Sequence, residues 1–153
     1  MGELFNTPSH PLLVHIPIVL LPLLAVLAIV MAAKPSWRSR LLWPLVVATL
    51  VTAAVTFWAT QAGEQLQDAL QPALGSKGDR HAELGDQTAL LATIFFVGAA
   101  AMVVIDRWFK RLMRSATALA WAVAVIGVVA TVWVIRTGHE GARITWDGVN
   151  IGG

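Results

Sequence analysis

The sequence predicts an all-α integral membrane protein, a four-transmembrane-helix bundle with both termini on the outer side. Of the 153 residues, 57% are hydrophobic and 13% are charged, which is about half the charged share of a soluble domain. The mean hydropathy is +0.70. The apolar residues fall in four long segments, and the connections between them alternate in charge. We expect a single domain over residues 1–153.

Each apolar segment is long enough to cross a bilayer as a helix. With the polar continuations of the middle two, the helices are predicted at about 12–33, 41–66, 80–106 and 116–137. A spanning helix needs roughly 20 apolar residues, and the alternating pattern of a barrel strand does not occur in these segments. The first segment has no Lys or Arg before Lys34 and is too long for a cleaved signal peptide, so we expect a retained helix.

The connections predict the orientation. Two are short and basic, KPSWRSR at 34–40 and RWFKRLMR at 107–114, whereas the connection at 62–87 is longer and more acidic. The positive-inside rule then places the basic loops in the cytoplasm of a bacterium and both termini in the periplasm or exterior, with the chain in the inner membrane. We expect a turn near Gln71–Gly78 and an irregular or short extended tail over Gly138–Gly153.

Several function classes are disfavoured by composition. The absence of cysteine excludes disulfides, iron–sulfur ligation, covalently attached c-type haem and thiol catalysis. The net charge of +2 resides largely in the two basic loops, so we do not expect nucleic-acid binding. Neither a nucleophile elbow nor an HExxH motif supports a hydrolase, and the inner halves of the helices lack the polar groups typical of a transport path.

Histidines are the candidate ligands. Counted from the inner boundary at about 1.5 Å per residue, His10, His81, His139 and Glu64 occupy one layer on the outer side, and His15 lies roughly 7 Å deeper. An ionisable group within an apolar helix, as at His15, suggests function. Each histidine also has a structural alternative, as a helix cap or a hydrogen-bonded neutral imidazole.

Two helix faces lie near this layer. One is a polar stripe on the second helix that ends at a carboxylate, and the other is a face of small residues below a histidine on the third, which leaves room for a flat cofactor. Close helix packing also explains the threonines and the small residues. The first comprises Thr52, Thr56, Thr60 and Glu64, and the second comprises His81, Gly85, Thr88, Ala92 and Ala99.

The opening SHPLLVHIPIVL resembles that of the bacterial membrane proteins of domain-of-unknown-function family 2231, His-Pro-x-x-Val-His-x-Pro. The match is at His10, Pro11, Val14, His15 and Pro17, and Gly63, His81 and Gly138-His139-x-Gly141 are similar to later family landmarks. Asp147, in ITWDGVNI, departs from the family pattern where many relatives have a further histidine. The resemblance covers nearly the whole chain. The resemblance implies relatives that can be joined to Rieske or c-type cytochrome domains, an association that would suit electron transfer at the membrane surface.

Three hypotheses remain open. The first is an electron-transfer protein holding haem b, in which His15 pairs with His81 or His139 and His10 is a further candidate. The second is a non-haem site for Zn, Cu or Fe built from three imidazoles with Glu64 or Glu140. The third is a scaffold or assembly subunit without a cofactor. We expect a membrane or periplasmic redox partner for the first; the sequence leaves the oligomeric state open, a homo-oligomer included.

Overall fold

Helices make up nearly all of the structure. The computed structural model describes residues 3–4, 7–108 and 113–146. A short antiparallel pair, β1 (Glu3–Leu4) and β2 (Thr7–Pro8), precedes the helices. The helices are α1 (Ser9–Leu13), α2 (His15–Ala33), α3 (Arg38–Leu74), α4 (Asp79–Trp108) and α5 (Met113–Trp146).

The helices form four spans that are long and apolar enough to cross a membrane. Within the described residues these are Ser9–Ala33, Pro35–Leu70, Asp79–Arg107 and Ala116–Trp146. The predicted all-α, four-transmembrane-helix bundle is therefore confirmed. We call α1, α2 and α3 the first hairpin, and α4 and α5 the second hairpin. Each of α2 and α4 packs against both α3 and α5, which closes the bundle.

Pro17 lies close to Val14, where α1 and α2 adjoin. Pro17 has no N–H to give to the carbonyl of Leu13, and its ring crowds that carbonyl. Helical hydrogen bonds still run through Val14, whose N–H donates to the carbonyl oxygen of His10 at 3.1 Å and whose carbonyl oxygen accepts from the N–H of Ile18 at 3.3 Å. Because Val14 also has helical backbone angles, α1 and α2 together form one span, Ser9–Ala33.

The core lies along the bundle axis and is made of tightly packed apolar side chains. Leu21, Met31, Leu45, Phe95 and Val123 are all completely buried. Large apolar side chains on the outer faces are exposed, as lipid-facing positions are in a spanning bundle: Leu23 is 59% exposed and Trp43 is 64% exposed. The bundle therefore presents an apolar surface to the bilayer.

The turn after α3 and the end of α5 test the predicted connection and tail. The predicted turn near Gln71–Gly78 is confirmed, because α3 ends at Leu74 and a 3₁₀ turn covers Gly75–Gly78. The predicted irregular tail is wrong for Gly138–Trp146, where α5 continues without a break. Asp147 and the basic residues at 110 and 111 lie outside the described residues.

Candidate functional site

His10 is held in place by α3. Its Nδ1 lies 2.8 Å from the carbonyl oxygen of Ala59 on α3. Because a carbonyl oxygen only accepts, Nδ1 carries the proton and donates, which leaves Nε2 as the nitrogen with a free lone pair. The same ring edge contacts Gly63, one helical turn further along α3.

His81 is held in the same manner by the second hairpin. Its Nδ1 donates to the carbonyl oxygen of Thr137 on α5 at 3.0 Å, and its ring lies against Gly141. Metal-bound histidines commonly donate their other N–H to a backbone carbonyl, which sets the tautomer and raises the basicity of the ligating nitrogen. His10 and His81 both donate from Nδ1 to a backbone carbonyl in this way.

The two imidazoles approach each other between the hairpins. Their ring centroids are 5.9 Å apart, and their planes are nearly perpendicular at 87°. Both side chains are half-buried. The sequence prediction that His10 and His81 occupy one layer at one end of the bundle is therefore confirmed.

A cavity of about 420 Å³ surrounds this pair. Most of its walls are apolar, and they include Val14 and Pro17 from the first hairpin and Val134 and Ile144 from the second. Its walls contain no Lys or Arg among the described residues. Such a cleft, apolar with a few convergent polar groups, is the usual form of a site for a small molecule or cofactor.

The other sequence candidates lie elsewhere or contribute less. His15 is exposed, and its Nδ1 donates to the carbonyl oxygen of Pro11 in the same stretch of helix, at 2.6 Å. His139 is exposed as well. Glu64 lines the cavity with an exposed side chain, and Glu140 forms an ion pair with Arg143 at 3.2 Å. The structure thus brings together His10 and His81 and leaves His15 and His139 outside the cavity walls.

The threonine stripe of α3 is largely satisfied within its own helix. Thr52 donates to the carbonyl oxygen of Ala48 at 2.7 Å, and Thr56 donates to that of Thr52 at 2.6 Å. Thr60 donates to the carbonyl of Phe57. These hydroxyls leave few donors for a ligand, so the packing explanation suits the stripe.

No group of three or more His, Cys, Asp or Glu side chains converges as a metal ion would require, within the part of the chain that the structure describes. The three-imidazole cluster proposed from the sequence is therefore not assembled there. A pair of imidazoles remains, with Glu64 as the acidic neighbour in the cavity wall.

Two parts of the site were missed by sequence reasoning. The carbonyl acceptors at Ala59 and Thr137 carry no side-chain signature, so nothing in the sequence marks them. Gly63 and Gly141 were visible as landmarks, but their contact with the histidine rings was not. Each follows its acceptor by four residues, as Ala59–Gly63 and Thr137–Gly141, a spacing that becomes apparent only once the acceptors are known from the structure.

The comparison with protein families agrees with this architecture. A family described as "Predicted membrane protein (DUF2231)" matches residues 6–151. The chain belongs to this family. The match includes both hairpins and all four histidines, and it confirms the resemblance drawn from the opening motif. No curated protein and no solved structure matched the chain.

Proposed function

We propose that the protein holds a b-type haem between His10 and His81 and transfers electrons at one face of the membrane. The observation that carries the proposal is the pair of neighbouring imidazoles in an apolar cavity, each with Nδ1 donating to a helix carbonyl. Histidine pairs from facing helices are a standard way for a bundle to hold haem iron.

The separation of the rings leaves room for a metal ion between them. With metal–nitrogen bonds of about 2 Å and about 1.1 Å from nitrogen to ring centroid, two imidazoles that bind one metal ion have centroids about 5–6 Å apart. The centroids of His10 and His81 are 5.9 Å apart in the structure, so both imidazoles would be able to hold one iron.

The surroundings also suit a flat apolar ring system. Glycine at 63 and 141 leaves room for the imidazoles where a Cβ would fill the space. Apolar walls from both hairpins would cover the macrocycle and keep water from it.

The roles of the protein groups follow from their contacts. His10 and His81 would hold the iron through Nε2, and the carbonyls of Ala59 and Thr137 would orient the rings. When bound, haem supplies reversible one-electron chemistry. The absence of cysteine agrees with a haem that is held without covalent attachment.

The position of the site suggests the partner. The site lies at the bundle end opposite the basic loops, which the positive-inside rule assigns to the cytoplasm of a bacterial inner membrane. The haem would then lie near the outer face, within reach of a membrane or periplasmic redox partner. Electron transfer is also what the resemblance to the family implies.

A non-haem metal is the second candidate, since Glu64 lines the cavity that contains His10 and His81. Zinc, copper or iron bound by two imidazoles and a carboxylate would need these groups to converge, and such convergence is not seen among the described residues. A scaffold without any cofactor is the third.

Single histidine variants test the proposal. His10→Ala and His81→Ala should each lower the haem-to-protein ratio about tenfold or more, because each removes a ligand and its orienting contact. The double variant should be little worse than either single one, since the two act as a unit. His15→Ala and His139→Ala are the matched controls and should retain haem. If His10→Ala and His81→Ala both retain full haem while His15→Ala loses it, the assignment is wrong.

A further inference from the structure

The two hairpins hold their histidines by the same two contacts. In each hairpin an imidazole near the start of the first span donates from Nδ1 to a backbone carbonyl within the second span. In each, the residue four positions after that carbonyl is a glycine that contacts the same ring. The first hairpin uses His10, Ala59 and Gly63, and the second uses His81, Thr137 and Gly141.

Neither glycine tolerates a side chain with the ring in place. A Cβ built at Gly63 would lie 2.9 Å from Nδ1 and 3.0 Å from Cε1 of His10. A Cβ built at Gly141 would lie 2.9 Å from Cε1 and 3.2 Å from Nδ1 of His81. These are closer than carbon normally approaches a ring, so a methyl group would force the imidazole to turn or move.

The carbonyl and the glycine constrain different motions. A hydrogen bond to Nδ1 fixes where that nitrogen lies but leaves the ring some freedom to tilt about it. The ring edge packs against the backbone of the glycine, and this contact limits the tilt. Together they hold the planes of His10 and His81 at 87° to each other.

We infer that Gly63 and Gly141 are positioning residues that hold the two axial imidazoles with crossed planes, so that the bound haem iron has perpendicular rather than parallel ligands. This inference rests on the proposed function. Crossed imidazoles donate into different iron d orbitals and leave those orbitals close in energy. Parallel imidazoles donate into the same orbital and separate them, so ring orientation tunes the iron electronically.

The electron paramagnetic resonance spectrum of the oxidised protein reports this directly. Crossed planes give low-spin ferric haem a strongly anisotropic signal dominated by one low-field line, whereas parallel planes give a three-line rhombic signal. We expect the first type in the wild type. In Gly63→Ala and Gly141→Ala the low-field line should shift towards the rhombic pattern or be lost.

Gly127→Ala is the matched control. Its Cβ would lie 2.8 Å from Cζ of Phe95, so it crowds the bundle as severely but at a distance from the imidazoles. It should lower thermal stability and leave the line shape of the remaining haem unchanged. A rhombic wild-type signal, or glycine variants at 63 and 141 with the wild-type line shape, would overturn the inference.

A second measurement on haem-free protein separates this inference from the proposed function. Nitrogen-15 spectra of protein labelled at histidine report which ring nitrogen carries the proton and how strongly it is hydrogen-bonded. His10→Ala and His81→Ala assign the two signals. Gly63→Ala should change the signal of His10 alone, and Gly141→Ala that of His81 alone, with Gly127→Ala changing neither.

The two failures are thereby distinguishable. Wild-type protein that binds no haem but shows these ring-specific changes would refute the haem and retain the glycines as positioning residues for the imidazoles. Protein that binds haem through His10 and His81 but shows no ring-specific effect of either glycine would retain the proposed function and refute this inference.

Discussion

At the residue scale, Gly127 shows how closely α5 approaches the first span. A Cβ there would lie 2.8 Å from Cζ of the fully buried Phe95 and 3.1 Å from Cα of Ala25. The backbone atom of Ala25 cannot turn away as a side chain can. Gly127 therefore sets the distance between α5 and α2, as small residues do in membrane helix packing.

We predict that Gly127→Ala destabilises the bundle by about 1–3 kcal/mol, the usual cost of overpacking a tight core. Thermal unfolding in detergent measures the loss. Gly138→Ala on the same helix is the control, because its nearest neighbour would be Cδ1 of Ile18 at an ordinary 4.0 Å. It should keep or slightly raise stability through better helix propensity. Equal midpoints for the two variants would contradict this packing account.

The histidines show what a single residue's sequence context reveals. Counting residues along each helix predicted that His10 and His81 share a layer, because helical rise is uniform. The same count placed His139 in that layer but could not say which way it faces. His15 was favoured because an imidazole in an apolar helix is costly. In the structure, the Pro11 carbonyl satisfies its Nδ1 locally, which is the alternative role that the sequence left open.

At the element scale, the start of the first span brings His10 to α3. Pro17 is buried in the cavity wall, and it has no N–H to donate to the carbonyl of Leu13. His10, on the same span, donates to the carbonyl oxygen of Ala59 on α3. Pro17 therefore contributes both to the cavity wall and to the helical hydrogen bonding next to His10.

We predict that Pro17→Ala restores a hydrogen bond to the Leu13 carbonyl and lowers haem occupancy several-fold while the bundle stays folded. The haem-to-protein ratio and helical circular dichroism measure the two effects. Pro22→Ala, in the interior of α2, removes an equivalent proline away from the site and should keep its haem. Full haem occupancy in Pro17→Ala would show that Pro17 does not position His10.

The spacing of residues along α5 explains why the predicted irregular tail from Gly138 is wrong. Gly138-His139 resembles a helix C-terminus, where glycine often follows the last turn. The structure instead continues to Trp146, and the cavity-lining residues of α5 recur with helical spacing, at 134, 137, 138, 141, 144 and 145. That periodicity was present in the sequence. Gly138 alone favours a helix end, whereas the residues on both sides of it keep the helical spacing.

At the scale of the whole molecule, the four spans were predictable because lipid permits few alternatives. Apolar length selects spanning helices, since unpaired backbone groups are costly in hydrocarbon. The cavity between the hairpins was not predictable. The cavity depends on which side of each helix points into the bundle. Apolar residues occur all round each span, as with the buried Leu21 and the exposed Leu23 on α2, so the sequence says little about which side that is.

The orientation of the molecule gives a separate prediction. Single cysteines at Ser36 and Ser76, both exposed, lie at opposite ends of α3. With the basic loops in the cytoplasm, an impermeant thiol reagent should label the cysteine at 76 in intact cells and the cysteine at 36 only after permeabilisation. Because the native chain has no cysteine, the background is the unmodified protein. The reverse labelling pattern would invert the topology.

The absorption spectrum of the wild-type protein, purified in detergent from cells with ample haem, tests the central claim most directly. Two imidazoles on one iron predict six-coordinate haem, with a narrow visible band on reduction and about one haem per bundle, from the single pair of His10 and His81 in the cavity. Colourless protein with stoichiometric zinc or copper would contradict the claim and favour the non-haem site. Colourless protein without metal would leave a membrane scaffold.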